Sequence, residues 1–197
     1  MRKSAGQALA WGSLCVWVMT AVVACGHADP VADDPSPSPF QDSSTYASEL
    51  QRSDLPWSDG PSPYNAEVRL DDGRRVAMYY RQGKGLVEQH YSPKAKAWTA
   101  ATVIHRTDVD ACQGIELRAN GGTVAAVADF GPYCYDGEPP AASLAAVGTG
   151  DLTDWDIDVT KDFDGWEKVS VSDDGREVVF GRDTTLRWTL ADGFADR

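Results

Sequence analysis

Along the chain the apolar positions change their spacing twice. From Ala8 to Ala24 they run almost unbroken, through Trp11, Leu14, Val16, Trp17, Val18, Met19, Val22 and Val23. They then thin out as far as Pro63. From Tyr64 onward they recur at every second residue. Val68 and Leu70 alternate with Glu67 and Arg69, and Val76, Met78 and Tyr80 alternate across residues 75–81. Ile115 with Leu117, Val169 with Val171 and Leu186 with Trp188 follow the same rule. A period of two puts successive side chains on opposite faces of a strand, so residues 64–197 predict an all-β, antiparallel domain.

The turns between these runs repeat. Asp71-Asp72-Gly73-Arg74, Ala119-Asn120-Gly121-Gly122 and Asp173-Asp174-Gly175-Arg176 each separate two alternating runs. Asp-Gly and Asn-Gly favour tight hairpins because both central residues take positive φ. Gly73, Gly121 and Gly175 lie 48 and 54 residues apart, and a period near 50 in an all-β chain is the size of a propeller blade. The pattern predicts one unit with strands at 66–70, 75–81, 86–91 and 98–105. A second has strands at 113–118, 123–130, 142–147 and 154–160. A third has strands at 167–172, 177–181 and 184–190, its fourth strand drawn from the N-terminal side near Trp57. Full propellers have at least four blades. The expected fold is therefore a partial propeller-like array of about three four-stranded units, or else a single β-sandwich or barrel.

The first apolar run has a different meaning. Arg2 and Lys3 precede it, a small residue closes it, and polar chain follows at once. That is the layout of an export signal over residues 1–24. Val22-Val23-Ala24-Cys25 resembles the lipobox of bacterial lipoproteins, with Val22 where that family usually has Leu. The resemblance implies that Cys25 is lipidated, becomes the mature N-terminus and holds the protein to the extracytoplasmic face of the cell membrane. Each buried methylene of an acyl chain contributes about 0.8 kcal/mol, so two or three chains suffice for stable anchoring. Residues 25–63 then form a tether holding seven of the eleven prolines, mixed with Ser and Asp. Such chain favours extended polyproline II, at about 3.1 Å per residue. Thr45–Arg52 reads as a short helical turn, and Leu55, Trp57 and Tyr64 as side chains that dock on the domain.

Charge and cysteines narrow the partners. The net charge of −12 becomes −14 once Arg2 and Lys3 leave with the signal. An acidic domain is unsuited to nucleic acid, whose phosphates call for Lys and Arg. It is equally unsuited to an anionic lipid surface, so the acyl chains carry the attachment. With Cys15 in the signal and Cys25 at the lipid, Cys112 and Cys134 remain as one pair in an oxidising compartment, and a disulfide is expected.

Two stretches resemble hairpins of sialidase-like and glycosidase propellers. Tyr91–Thr99 is similar to an Asp-box turn in its Ser92 and Trp98, with Lys94 and Ala95 where that motif usually has Asp and Gly. Thr149–Trp155 is similar to an Asp-Leu-x-x-Trp turn. The resemblance implies tryptophans packed between sheets, and it raises carbohydrate chemistry as a second reading. The arginine cluster of sialidases matches no positions here.

No catalytic residue, metal site or cofactor is nominated. Asp154, Asp156 and Asp158 alternate with Trp155, Ile157 and Val159, which describes a strand with one wet face. His90 shares a face with Glu88, expected to be solvated. The best candidate contact surface is the loop at Tyr133 and Tyr135, flanking Cys134, because a bridged loop presents aromatic anchors at little ordering cost; the alternative is that both rings pack over the bridge. The expected function is a lipid-anchored, non-enzymatic binding or interaction module, with an envelope protein or a carbohydrate as ligand. The alternatives are a carbohydrate-active enzyme and a structural cell-envelope protein.

Overall fold

The computed structural model describes residues 45–46, 64–132, 134 and 137–195. The signal, Cys25 and the tether apart from Thr45 and Tyr46 lie outside the described residues, as do Leu55, Trp57, Tyr133 and Tyr135. Of the helical turn expected at 45–52, Tyr46 instead makes an isolated bridge to Thr99.

The described chain is entirely strand and turn. The strands are β1 (Asn65–Arg69), β2 (Arg75–Arg81), β3 (Gly85–Ser92), β4 (Ala97–Trp98), β5 (Thr102–His105), β6 (Glu116–Asn120), β7 (Thr123–Phe130), β8 (Ala142–Gly148), β9 (Trp155–Lys161), β10 (Lys168–Val171), β11 (Glu177–Gly181), β12 (Thr185–Thr189) and β13 (Gly193–Phe194). They form three antiparallel meanders: β1-β2-β3-β4 with β5 also on β3, β6-β7-β8-β9, and β10-β11-β12-β13. None of the three sheets closes on itself.

Alternation decides how the sheets stack. On β7 the even residues Val124, Ala126, Ala128 and Phe130 join Val76, Met78 and Leu86 of the first sheet in one core. The odd residues Ala125 and Val127 join Phe180, Leu186 and Trp188 of the third sheet in another. The middle sheet is thus buried on both faces, which is why β7 and β8 read as near-continuous apolar runs. Their alanines leave room for the aromatics opposite. At Gly148 the absence of a side chain admits the Trp155 indole, which lies 2.7 Å from where a Cβ would stand.

The hairpin turns hold the sheets together at one end. Gly121 and Gly175 touch backbone to backbone, since a Cβ on Gly121 would fall 2.4 Å from the Gly175 nitrogen. Thr123 donates its hydroxyl hydrogen to the Gly175 carbonyl at 2.6 Å. Arg74, buried in the first turn, donates to the Gly150 carbonyl.

Three expectations need correction. The strand expected at 98–105 breaks into β4, opposite Tyr91 and Ser92, and β5, opposite residues 86–88; at the break the Thr99 hydroxyl accepts from the His90 amide at 3.0 Å. The strand expected from Gln113 begins at Glu116. The fourth strand of the third sheet comes from the C-terminal side: β13 pairs Phe194 with Trp188. Asp192-Gly193 supplies that turn, with the Asp192 amide donating to Thr189 Oγ1 at 3.2 Å.

Both motif-like turns are hairpin corners. In the first, Ser92 Oγ accepts from the Ala95 amide at 3.1 Å, and the Trp98 ring meets Tyr91 edge-on at 5.7 Å. In the second, Leu152 is buried in the core between the first two sheets and accepts the Trp155 indole N–H at 3.1 Å.

Candidate functional site

A groove of about 680 Å³ runs along the first strands of the sheets. β1 lines it with Asn65 and Glu67, β6 and the residues before it with Gln113 to Arg118, and β7 with Val127 and Asp129. Trp166 and Glu167, just ahead of β10, complete the wall. β1 packs beside β6, and β6 beside β10, so three separate turns of chain bring these side chains together.

Asp129 is the unusual member. It falls on the face of β7 that carries Ala125 and Val127, so the alternation delivers a carboxyl group into an apolar series. It is only 3% exposed, and its Oδ1 has no hydrogen-bond partner among the described residues. Burial pushes its pKa up to about 6; the Ser143 hydroxyl and the Arg182 charge pull it down, and the Asp164 charge pushes it up.

The surroundings hold this residue in place. Ser143 stands opposite Asp129 in the β7–β8 register, and its Oγ accepts from the Trp166 amide at 3.1 Å. The Asp129 carbonyl accepts from the Cys112 amide at 2.8 Å. Cys112 and Cys134 form the expected disulfide, with their Cα atoms 5.2 Å apart, so the bridge staples the chain beside the end of β7. Gly165 takes φ +87°, and a Cβ there would stand 3.0 Å from Asp129 Oδ2. Glycine therefore lets the 164–167 backbone close against the carboxylate. Arg182 fixes that backbone by donating to the Asp164 carbonyl at 2.6 Å and pairing with the Asp164 carboxylate. It also lies 3.3 Å from Glu167 Oε1.

A second buried acid lies in the first sheet. Glu88 and His90 are each 2% exposed, and Glu88 Oε1 is 2.8 Å from His90 Nδ1. They do share a face, but the expectation that this face is solvated fails, because Thr99, Thr102, Leu152 and Thr153 enclose it around a cavity of about 170 Å³. Tyr46 meets the His90 ring edge-on at 6.1 Å.

Among the described residues no group of three or more His, Cys, Asp or Glu is placed to hold a metal ion. Asp156, expected on the wet face of β9, is exposed and accepts the Trp188 indole N–H at 2.7 Å. Asp129 was not singled out from the sequence. Its signal was nonetheless present: it is the one charged residue in Thr-Val-Ala-Ala-Val-Ala-Asp-Phe, a run too apolar to be half-wet.

No family model, no curated protein and no solved structure matches this chain.

Proposed function

We propose that this protein is a lipid-anchored, extracytoplasmic binding module that takes its ligand in the groove beside Asp129. The observation that carries the reading is a buried carboxyl at the wall of the groove, with one oxygen that has no partner among the described residues. A group held in so unfavourable a state destabilises the fold by itself, and such groups cluster where a ligand is bound or transformed. The lipobox-like Val22–Cys25 supports the anchoring, and the proline-rich tether supports a ligand beyond the membrane surface.

The three sheets are read as consecutive blades of a partial propeller. This is supported by the four-strand meander path that all three contain and by the contacts of β1 with β6 and of β6 with β10. In that architecture the first strands surround the axis, which is where the groove runs.

A second reading is a glycoside-cleaving enzyme. A carboxyl titrating near 6 in a groove with Glu67, Glu116 and Glu167 has the character of a general acid. Against it, Trp166, the aromatic residue of the wall, is 4% exposed and offers no open face to a sugar ring.

Two measurements test these readings. Mass spectrometry of the membrane fraction is expected to find acyl chains on an N-terminal Cys25; an unmodified terminus at or beyond Cys25 removes the anchor. Thermal shift of the full chain against peptide and oligosaccharide panels is expected to reveal a stabilising ligand. That effect should vanish when Glu116→Lys and Glu167→Lys reverse the groove's charge. Equal stabilisation of both proteins places the ligand elsewhere, and hydrolysis of aryl glycosides that Asp129→Asn abolishes would favour the enzyme.

A further inference from the structure

We infer that the groove receives a protonated basic side chain of a polypeptide, a lysine ammonium or an arginine guanidinium, seated on Asp129 Oδ1. The inference rests on the binding-module reading and specifies the chemistry of its ligand. Three observations converge on it.

First, Asp129 lines the groove, its side chain is buried, and its Oδ1 lacks a donor among the described residues. A carboxylate accepts hydrogen bonds and cannot donate them, so the group that completes it must bring an N–H or O–H. A cationic donor answers both the open lone pair and the charge, and such bonds are the stronger ones.

Second, the lining is rich in carboxylates. Among the described residues Glu67, Glu116, Asp129 and Glu167 line it with Arg118; Glu67 also pairs with Arg75 at 3.2 Å and Glu167 with Arg182 at 3.3 Å. Arg118 is itself 2.7 Å from Glu116. The whole chain carries −12, so its field draws cations towards the groove.

Third, the half-buried Ala66 and Ile115 give the groove some apolar surface. A Lys or Arg side chain carries an aliphatic stem behind its charge, and the stem gains by lying along such a surface. A small hydrated cation has no stem to place there.

Binding of this kind depends on the ionised carboxylate. The groups set around Asp129 are Ser143 from β8, Asp164 and Glu167 from the β9–β10 connection, and Arg182 after β11. Glu67 on β1 and Glu116 and Arg118 on β6 line the same groove. A carboxyl titrating at about 6 is mostly charged at pH 7 and mostly neutral at pH 5. Affinity for a cation is therefore expected to fall about tenfold between them.

The test is calorimetric titration of the full-length chain in detergent micelles. The probes are the acetylated, amidated tripeptides Gly-Lys-Gly and Gly-Arg-Gly, the neutral isostere with norleucine at the centre, glucosamine, and chitotetraose as an uncharged oligosaccharide. The basic tripeptides are expected to bind at least about tenfold more tightly than the norleucine peptide and than glucosamine. Asp129→Asn is expected to remove that difference. Circular dichroism checks its fold, and Arg118→Gln, which leaves Asp129 intact, is expected to tighten the basic peptides about twofold.

Equal affinity for lysine and norleucine peptides, an unchanged preference in Asp129→Asn, or tighter binding of glucosamine overturns the inference. If chitotetraose binds, loses that binding in Glu116→Lys, and the basic peptides do not bind, the inference falls while the groove remains a ligand site. If no probe binds at millimolar concentration, the inference also falls, and the thermal-shift panel alone then decides the broader reading.

Discussion

Among the described residues two acids lie buried in strands, Glu88 on β3 and Asp129 on β7, and they are almost equally hidden. Glu88 has His90 two positions along its own strand. The pleat turns both side chains to one face, and the imidazole nitrogen meets the carboxylate at 2.8 Å. Asp129 has Val127 in the corresponding place behind it, and β7 ends at the next residue. Its own strand brings it no partner; the Ser143 hydroxyl reaches it from β8, and its buried Oδ1 has no partner among the described residues. Equal burial thus carries opposite meanings. Where the strand supplies an imidazole, the acid is part of the packing; where only the Ser143 hydroxyl reaches it, one oxygen is left without a partner among the described residues.

Removing a partner should separate the two most sharply at Glu88. His90→Ala deprives a buried acid of its imidazole and opens a hole beneath Tyr46 and Thr99. Breaking a buried pair of this kind costs about 4 kcal/mol, read as a lower urea midpoint at unchanged slope. The double replacement Glu88→Met with His90→Leu fills the space without polar groups and should recover most of that loss. Neither variant should alter ligand binding at the groove. If the double variant is as unstable as His90→Ala, the pair does more than fill the core.

At Asp129 the sign reverses. Its carboxyl holds a proton up to about pH 6 in the folded chain and only to about 3.8 in the unfolded one. Between those values the folded state binds the extra proton, so stability falls as pH rises through that window and is lowest above it. At neutral pH the penalty is about 3 kcal/mol. Asp129→Asn should therefore stabilise the protein by up to about that amount at pH 7, with the gain vanishing below pH 4. Urea unfolding at pH 3.5, 5 and 7 measures it. A destabilised Asp129→Asn at pH 7 would mean that the carboxylate is already satisfied from within.

This contrast was half legible in the sequence. The period of two put Glu88 and His90 on one face, and the Asp-Gly and Asn-Gly turns located the hairpins correctly. Whether a face is wet or dry depends on which other sheet covers it, and that is a long-range fact. The loop of Leu152 closes over Glu88 and His90 from more than sixty residues away in the chain. The groove was hidden for the same reason, since it is assembled from β1, β6, β7 and the residues ahead of β10, none of which marks it alone. The β13 strand was missed because it is only two residues long, although Asp192-Gly193 is the same turn signal read three times elsewhere.

A smaller effect probes how the chain closes on Asp129. Gly165 sits at φ +87° with its backbone against Oδ2. Gly165→Ala imposes a strained conformation and a Cβ in contact with the carboxylate, for a loss of about 1–2 kcal/mol. The same replacement at Gly181, where a Cβ meets nothing within 4 Å, should cost less than about 1 kcal/mol. Equal losses at the two glycines would show that the 164–167 backbone does not depend on its approach to Asp129.

The finest test leaves both acids in place and changes only the field at one of them. Arg182 pairs with Asp164 and lies near Glu167, and its charge lowers the pKa of Asp129. Arg182→Gln removes that charge and leaves the Asp164 carboxylate, which acts in the opposite direction, without its cation. Both changes favour the neutral acid, so the Asp129 titration should move above its value of about 6. The stability change should be small, about 0.5 kcal/mol, because Asp164 is largely exposed and water screens the pair. Carboxyl-detected NMR titration resolves the shift, and the Glu88 and His90 signals serve as internal controls. A groove whose acid is tuned from β11 should respond while the paired acid stays still. A shift at Glu88 instead, or at both residues, would mean that the two acids share one environment and that the distinction between them fails.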